Sequence, residues 1–239
     1  MKRTINILLA AVIASLAVTQ SSGQQAPSNP PQAQNTPRRV KTKVDGFDLA
    51  PDKASANQIG GASRGEGAKT LLVAPHKARV YTLRPSFAWK GDPSATYKLR
   101  IQDTMGTFSW DREVTGTSMA YPADAPPLTP GTTYLWKVAP DSPLLGPPPP
   151  ASIIVVVSGT DRAQIDDGLA QIQGSGSEAD AARAKYLYDQ RLWYDALMAY
   201  SDLIAKDPGQ ADFYKMRGTL YDQVPAAEQL ADADFAHVN

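Results

Sequence analysis

Alternating apolar and polar positions between residues 70 and 158 predict a series of short β-strands. Residues 97–101 and 134–138 show this alternation, which is typical of strands buried on one face. Five further strand-like runs are bounded by turn residues: 70–74, 86–89, 107–114, 119–121 and 152–157. Seven short strands separated by turn signals favour a β-sandwich.

Residues 160–239 change to a helical period and are rich in alanine. Ile165, Leu169 and Ile172 lie four and three residues apart, so they predict one apolar stripe on a helix over 161–172. A short helical array leaves apolar surface uncovered at its ends. Three apolar side chains further along the chain need such cover: Tyr186, Leu197 and Leu220. The helix over 161–172, the sandwich and a second copy of the chain are the candidates, and the apolar stripe favours the helix.

The stretch 128–138 resembles the tyrosine corner of fibronectin type III domains. A Pro-Gly pair precedes the strand, and the resemblance implies that the Tyr134 hydroxyl reaches back to the backbone just upstream. Trp89 resembles the core tryptophan of the same domains. We expect Trp89, Tyr134 and Trp136 to pack between the two sheets.

Six positions in the helical part resemble the packing and helix-ending positions of tetratricopeptide repeats: Ala184, Ala196, Tyr200, Pro208, Gly218 and Tyr221. The second repeat matches less well over residues 225–238. The predicted fold is thus multidomain, β followed by α: an immunoglobulin- or fibronectin III-like β-sandwich (70–158), then a short α-helical tetratricopeptide array (160–239). This order of modules is similar to a group of uncharacterised bacterial exported proteins.

The first 69 residues follow neither pattern. Two basic residues, an apolar run over 5–18 and small residues up to Gly23 predict a signal peptide over 1–23. An uncleaved membrane anchor is the alternative, although the run is shorter than the roughly 20 residues that a spanning helix needs. Residues 24–69 predict a disordered linker, in which only the piece 44–49 is suited to local docking.

The amino-acid composition excludes some classes of function. The chain has no cysteine, which excludes disulfides and thiolate chemistry. Residues 160–239 contain 7 basic and 14 acidic side chains, a net charge of 7 − 14 = −7. This charge disfavours nucleic acid as a partner and would suit a basic protein surface.

Catalytic and metal-binding patterns were sought, and none is predicted. His76 and His237 are the only histidines, and neither has a second ligand at metal-binding spacing. Ser63 lies in a Gly-x-Ser-x-Gly pattern without the strand and helix that a nucleophile elbow requires. Lys69 lies too far from the preceding glycine for a phosphate loop. We predict no catalytic, cofactor-binding or metal-binding residue.

Aromatic side chains of the array point to a binding role, since exposed aromatics often mark interfaces. Tyr188 and Tyr194 are predicted to line a groove for an extended peptide. The predicted function is a non-catalytic, periplasmic or secreted scaffold of the bacterial cell envelope that binds an unidentified protein or peptide. No stable membrane insertion is expected after signal cleavage. The alternatives are a cell-envelope polysaccharide-binding module that uses Trp110 or Tyr121, and an unrecognised hydrolase.

Overall fold

The structure, a computed structural model, describes residues 70–238, which form β-strands followed by α-helices. The strands are β1 (Leu71–Ala74), β2 (Ala78–Val80), β3 (Ser86–Lys90), β4 (Thr96–Asp103), β5 (Ser109–Thr115), β6 (Ser118–Ala120), β7 (Thr133–Pro140) and β8 (Ser152–Val156). The helices are α1 (Gly159–Gln171), α2 (Ser177–Asp189), α3 (Trp193–Lys206), α4 (Ala211–Tyr221) and α5 (Glu228–Phe235). The predicted order, β-sheets followed by helices, is confirmed. The signal peptide (1–23) and the linker (24–69) were predicted for residues outside the described range.

Two sheets pack face to face as a β-sandwich. One has the strand order β1-β3-β6 and the other β2-β8-β7-β4-β5. All strand pairs are antiparallel except β2 with β8, which are parallel. Phe87 of the first sheet and Trp136 of the second meet in the core, with ring centroids 4.9 Å apart. Trp89 packs edge-on against Tyr97 at 5.5 Å.

Strand β2 has no counterpart among the predicted strands. It has only three residues, and Arg79 interrupts its short apolar pattern. Its hydrogen bonds go to β8, whose position depends on the whole sandwich rather than on neighbouring residues. A period of two is not detectable over so short a run.

The Tyr134 hydroxyl accepts a hydrogen bond from the backbone N–H of Thr129 at 2.9 Å, five residues upstream. Trp136 is fully buried, and its indole N–H donates to the carbonyl oxygen of Pro75 at 2.7 Å. Both aromatic rings thus fill the core while their polar atoms are satisfied by backbone, as buried Tyr and Trp require.

The helical part buries several of the residues that resemble repeat packing positions. Ala184 and Ala196 are fully buried, Tyr200 is also buried, and Pro208 follows the end of α3. At Gly218, a Cβ atom would lie 3.1 Å from the Cβ of Asp234. Glycine therefore permits the close approach of α4 and α5.

Helix α1 packs against α2, as the apolar stripe predicts. Ile165 and Leu169 form a small core with Tyr186 and Leu192. For the remaining apolar side chains, the cover comes from the sandwich, one of the alternatives, and not from the favoured helix. Leu197 belongs to the main core, which continues from the sandwich into the helices, so α1 is not its cover. None of the helices within residues 70–238 is long and apolar enough to cross a membrane.

Candidate binding cleft between the sandwich and the helices

Asp195, in the first turn of α3, attaches this helix to the segment between β2 and β3. Its two carboxylate oxygens accept hydrogen bonds from the backbone N–H groups of Tyr81 at 2.7 Å and Thr82 at 2.8 Å. The residue is 8% exposed. A buried carboxylate is tolerated only when its oxygens are hydrogen-bonded. Asp195 therefore fixes the start of α3 on the sandwich.

Tyr194 makes a second attachment from the same helical turn. Its hydroxyl accepts a hydrogen bond from the N–H of Ser86 at 2.6 Å and donates one to the carbonyl oxygen of Ser86 at 3.0 Å. Tyr194 is only 5% exposed. This face of α3 packs on the sandwich, and the predicted role of Tyr194 in peptide binding stays a prediction.

Helix α1 holds the same segment from another side. The guanidinium of Arg162 donates to the carbonyl oxygen of Tyr81 and lies 4.3 Å from the centre of its ring. The Tyr81 hydroxyl donates to Asp166, and Arg79 pairs with Asp161 at 2.6 Å. The segment after β2 is thus bonded to both α1 and α3, and the sandwich and the helices form one unit.

Burial raises the pKa of Asp195 to about 6, and the backbone N–H groups of Tyr81 and Thr82 oppose this rise. Burial also raises the pKa of Tyr194 well above its usual range. Tyr194 therefore stays protonated and keeps donating to Ser86 at every physiological pH.

An apolar cleft opens beside these attachments, and we call it the seam cleft. One wall is the corner between β1 and β2 (residues 73–78); the other comes from α3 and the end of α4: Trp193, Tyr194, Leu197, Leu220, Tyr221 and Val224. Its volume is about 30 Å³. A single water needs about 10–15 Å³, so the seam cleft has room for the end of one apolar side chain.

The corner that forms the first wall is held in place by the sandwich. Trp136 bonds the carbonyl oxygen of Pro75, and the N–H of Lys77 donates to the Ser152 hydroxyl at 2.8 Å. His76 is half-buried and lines the seam cleft together with Lys77. These contacts set the shape of the seam cleft without a ligand.

Tyr188 is half-buried on α2, packs against the core and is not among the residues that line the seam cleft. Its predicted role in peptide binding stays a prediction. The attachment residues Asp195, Tyr81 and Arg162 were not predicted from the sequence. A charged residue directly after two aromatics at a helix start, as in 193–195, was the available signal.

The sandwich does not expose Tyr121, one of the two aromatics considered for polysaccharide binding. Tyr121 is 4% exposed, and its hydroxyl donates to the carbonyl oxygen of Pro126 at 2.8 Å. Trp110 is half-buried, with its ring centroid 5.1 Å from that of Tyr121. Tyr121 is thus a core residue, and polysaccharide binding by the sandwich stays a prediction. In the part of the chain that the structure describes, no three acidic or histidine side chains are placed to hold a metal ion.

Comparisons with known proteins place the chain in a family. The chain is similar to the fibronectin type III domain of human collagen alpha-1(XX), with 19% identity, 40% of this chain and 81% of that chain covered, and a TM-score of 0.23. It is also similar to a multi-domain immunophilin from Arabidopsis thaliana, with 9% identity, 72% and 94% covered, and a TM-score of 0.26. No curated protein matches the chain significantly. The model of the family described as Domain of Unknown Function (DUF928) matches residues 59–234. Since this match covers most of the sequence, the chain belongs to that family.

Proposed function

We propose that the chain is a non-catalytic interaction protein that holds a protein or peptide partner at the seam cleft. The observation that carries this proposal is a preformed apolar cleft between two modules that are bonded to each other. Tyr194 and Asp195 fix one wall and Trp136 fixes the other. A preformed site binds without the entropic cost of ordering itself.

The size of the seam cleft favours an extended segment as ligand. A volume of about 30 Å³ accepts one apolar side chain, while the chain on either side of it would lie along the rim. Part of the partner surface would be basic, because residues 160–239 carry a net charge of 7 − 14 = −7. Tyr188 would contact the partner where it continues over α2.

In finer terms, we propose a fibronectin III-like sandwich and a tetratricopeptide-like array. The hydrogen bond between Tyr134 and Thr129 supports the first. Buried Ala184 and Ala196 and the tight contact at Gly218 support the second, because paired helices in such arrays approach through small residues. The pattern of residues 1–23 supports export to the periplasm or beyond.

Site-specific photo-crosslinking tests the binding proposal. A photoreactive amino acid replaces Tyr221, which lines the seam cleft, or Lys215, which is exposed on the same helix. Cells that make the full chain should yield one dominant cross-linked partner from position 221, identified by mass spectrometry. The control at position 215 should yield much less of it. Equal yields from both positions, or no partner at position 221, would contradict the proposal.

A further inference from the structure

The loop between β7 and β8 carries apolar side chains that the rest of the protein leaves uncovered. It contains four consecutive prolines, Pro147–Pro150, directly after Gly146. Leu144, in the same loop, is 87% exposed, the highest value among the large apolar side chains of residues 70–238. Exposed apolar side chains that cluster in one place are a signal of an interaction site.

Steric restrictions place the four prolines in the polyproline II conformation. The proline ring holds φ at about −65°, and a proline keeps the residue before it out of the α region. Pro147, Pro148 and Pro149 are each followed by a proline, and the segment lies in no helix or strand. A polyproline II helix has three residues per turn, so Pro147 and Pro150 lie on the same edge of it.

The exposure of the four rings agrees with this period of three. Pro149 is half-buried, so its edge faces the protein. Pro147, Pro148 and Pro150 are exposed, so the other two edges are open. Among residues 70–238, no hydrogen bond uses a carbonyl oxygen of the four prolines. Both the rings and the carbonyl oxygens are therefore accessible to a partner.

Hydrogen bonds fix the loop on both sides of the prolines. Before them, the N–H of Gly146 donates to the carbonyl oxygen of Pro143 at 3.2 Å. After them, the hydroxyl of the buried Ser152 accepts a hydrogen bond from the N–H of Lys77 at 2.8 Å. The segment is thus held in one shape before any partner binds, and little backbone entropy is lost on binding.

We infer that Pro147–Pro150 is a docking segment for a second protein whose groove is lined by aromatic side chains. Aromatic-lined grooves accept the rings of a polyproline II helix. Trp N–H or Tyr O–H groups in such a groove would donate to the open carbonyl oxygens. Neither Leu144 nor Pro147–Pro150 lines the seam cleft, so this inference is independent of the ligand proposed there.

Photo-crosslinking beside the prolines tests the inference. The full chain carries a photoreactive amino acid at Ala151, which is exposed and follows the segment, and is irradiated in an extract of the cells that make it. The control position is Ala123, exposed in another proline-containing loop. Position 151 should give one dominant cross-linked protein, and position 123 should not. A decaproline peptide at about ten times its dissociation constant should reduce this cross-link about tenfold by mass action.

Two double variants separate the polyproline segment from exposed prolines in general. Pro147→Ser with Pro150→Ser removes one open edge and should weaken the cross-link about as much as decaproline does. Pro126→Ser with Pro127→Ser replaces two exposed prolines of the other loop, too few for one turn, and should leave the cross-link unchanged. Both variants should melt like the parent in circular dichroism, because the four replaced side chains are exposed.

The inference is wrong if position 151 gives no more cross-linked protein than position 123. It is also wrong if decaproline leaves the cross-link in place, because the captured protein then does not bind the polyproline II conformation. Equal effects of the two double variants would overturn it as well. The cross-link proposed from position 221 should not respond to decaproline, so this test and the test of the seam cleft can fail separately.

Discussion

The hydroxyl of Tyr194 bonds both backbone groups of one residue, Ser86, which lies 108 positions earlier in the chain. It accepts a hydrogen bond from the N–H of Ser86 and donates one to its carbonyl oxygen. A single side-chain oxygen thus bonds both backbone groups at the start of β3 and joins this strand to α3. Ser86 is itself buried, and water cannot replace these bonds.

Tyr194→Phe should therefore destabilise the protein by about 1–3 kcal/mol, because it leaves a buried N–H and a buried carbonyl without this partner. Urea denaturation followed by circular dichroism measures the change. Tyr188→Phe is the matched control on the neighbouring helix and should stay within about 0.5 kcal/mol of the parent. Equal effects of the two substitutions would contradict the assigned role of Tyr194.

The raised pKa of Asp195 predicts a pH-dependent contribution to stability. An acid whose pKa rises on folding holds its proton more tightly in the native state. Its contribution is therefore largest below about pH 4 and is lost as pH rises to about 6. The pKa of other carboxyls is shifted in the opposite direction. For example, Lys206 and Arg183 lower the pKa of Asp180.

Comparison with Asp195→Asn isolates this contribution, because the amide does not titrate. The difference in unfolding free energy between parent and variant should fall by about 2 kcal/mol between pH 4 and pH 6. Denaturant unfolding at several pH values measures it. A constant difference across that range would show that the pKa of Asp195 is not raised.

Arg217 and Asp234 form a two-point ion pair between α4 and α5, with N–O distances of 2.9 and 2.6 Å. Their side chains are 9% and 5% exposed. Asp234→Ala should cost about 3–5 kcal/mol, because it leaves the buried guanidinium without its counter-charge. The double variant Arg217→Met, Asp234→Leu should regain much of this loss. A double-mutant cycle by thermal unfolding measures the coupling, and additive effects would argue against the pair.

Gly218→Ala should destabilise the protein by about 1–3 kcal/mol, because the new Cβ would lie 3.1 Å from Asp234 and 3.2 Å from the Phe235 ring. Gly159→Ala is the control at the start of α1, where an added Cβ meets nothing within 4 Å. It should be neutral or slightly stabilising. Melting temperatures compare the two, and a neutral Gly218→Ala would show that α4 and α5 can move apart freely.

Periodic patterns predicted most of the strands and the helical part, because they report which face of a local element is buried. Residues 97–101 alternate and lie in β4, and the stripe of Ile165 and Leu169 packs as expected. The burial of Tyr194 could not be predicted in this way. It depends on α3 facing the sandwich, a contact between distant parts of the chain that leaves no local period. The same holds for β2, which exists only because β8 pairs with it.

The bonds between Asp195 and the residues after β2 also bear on how the protein avoids aggregation. Strand β2 is an edge of the five-stranded sheet, and an edge exposes backbone groups that can recruit a strand from another molecule. The two backbone N–H groups that follow β2, of Tyr81 and Thr82, donate hydrogen bonds to the Asp195 carboxylate. They are therefore not available to pair with a strand from another molecule. The opposite edge, β5, carries the charges of Asp111, Arg112 and Glu113 instead. Loss of the Asp195 carboxylate should therefore open one sheet edge to intermolecular pairing before the sandwich itself unfolds.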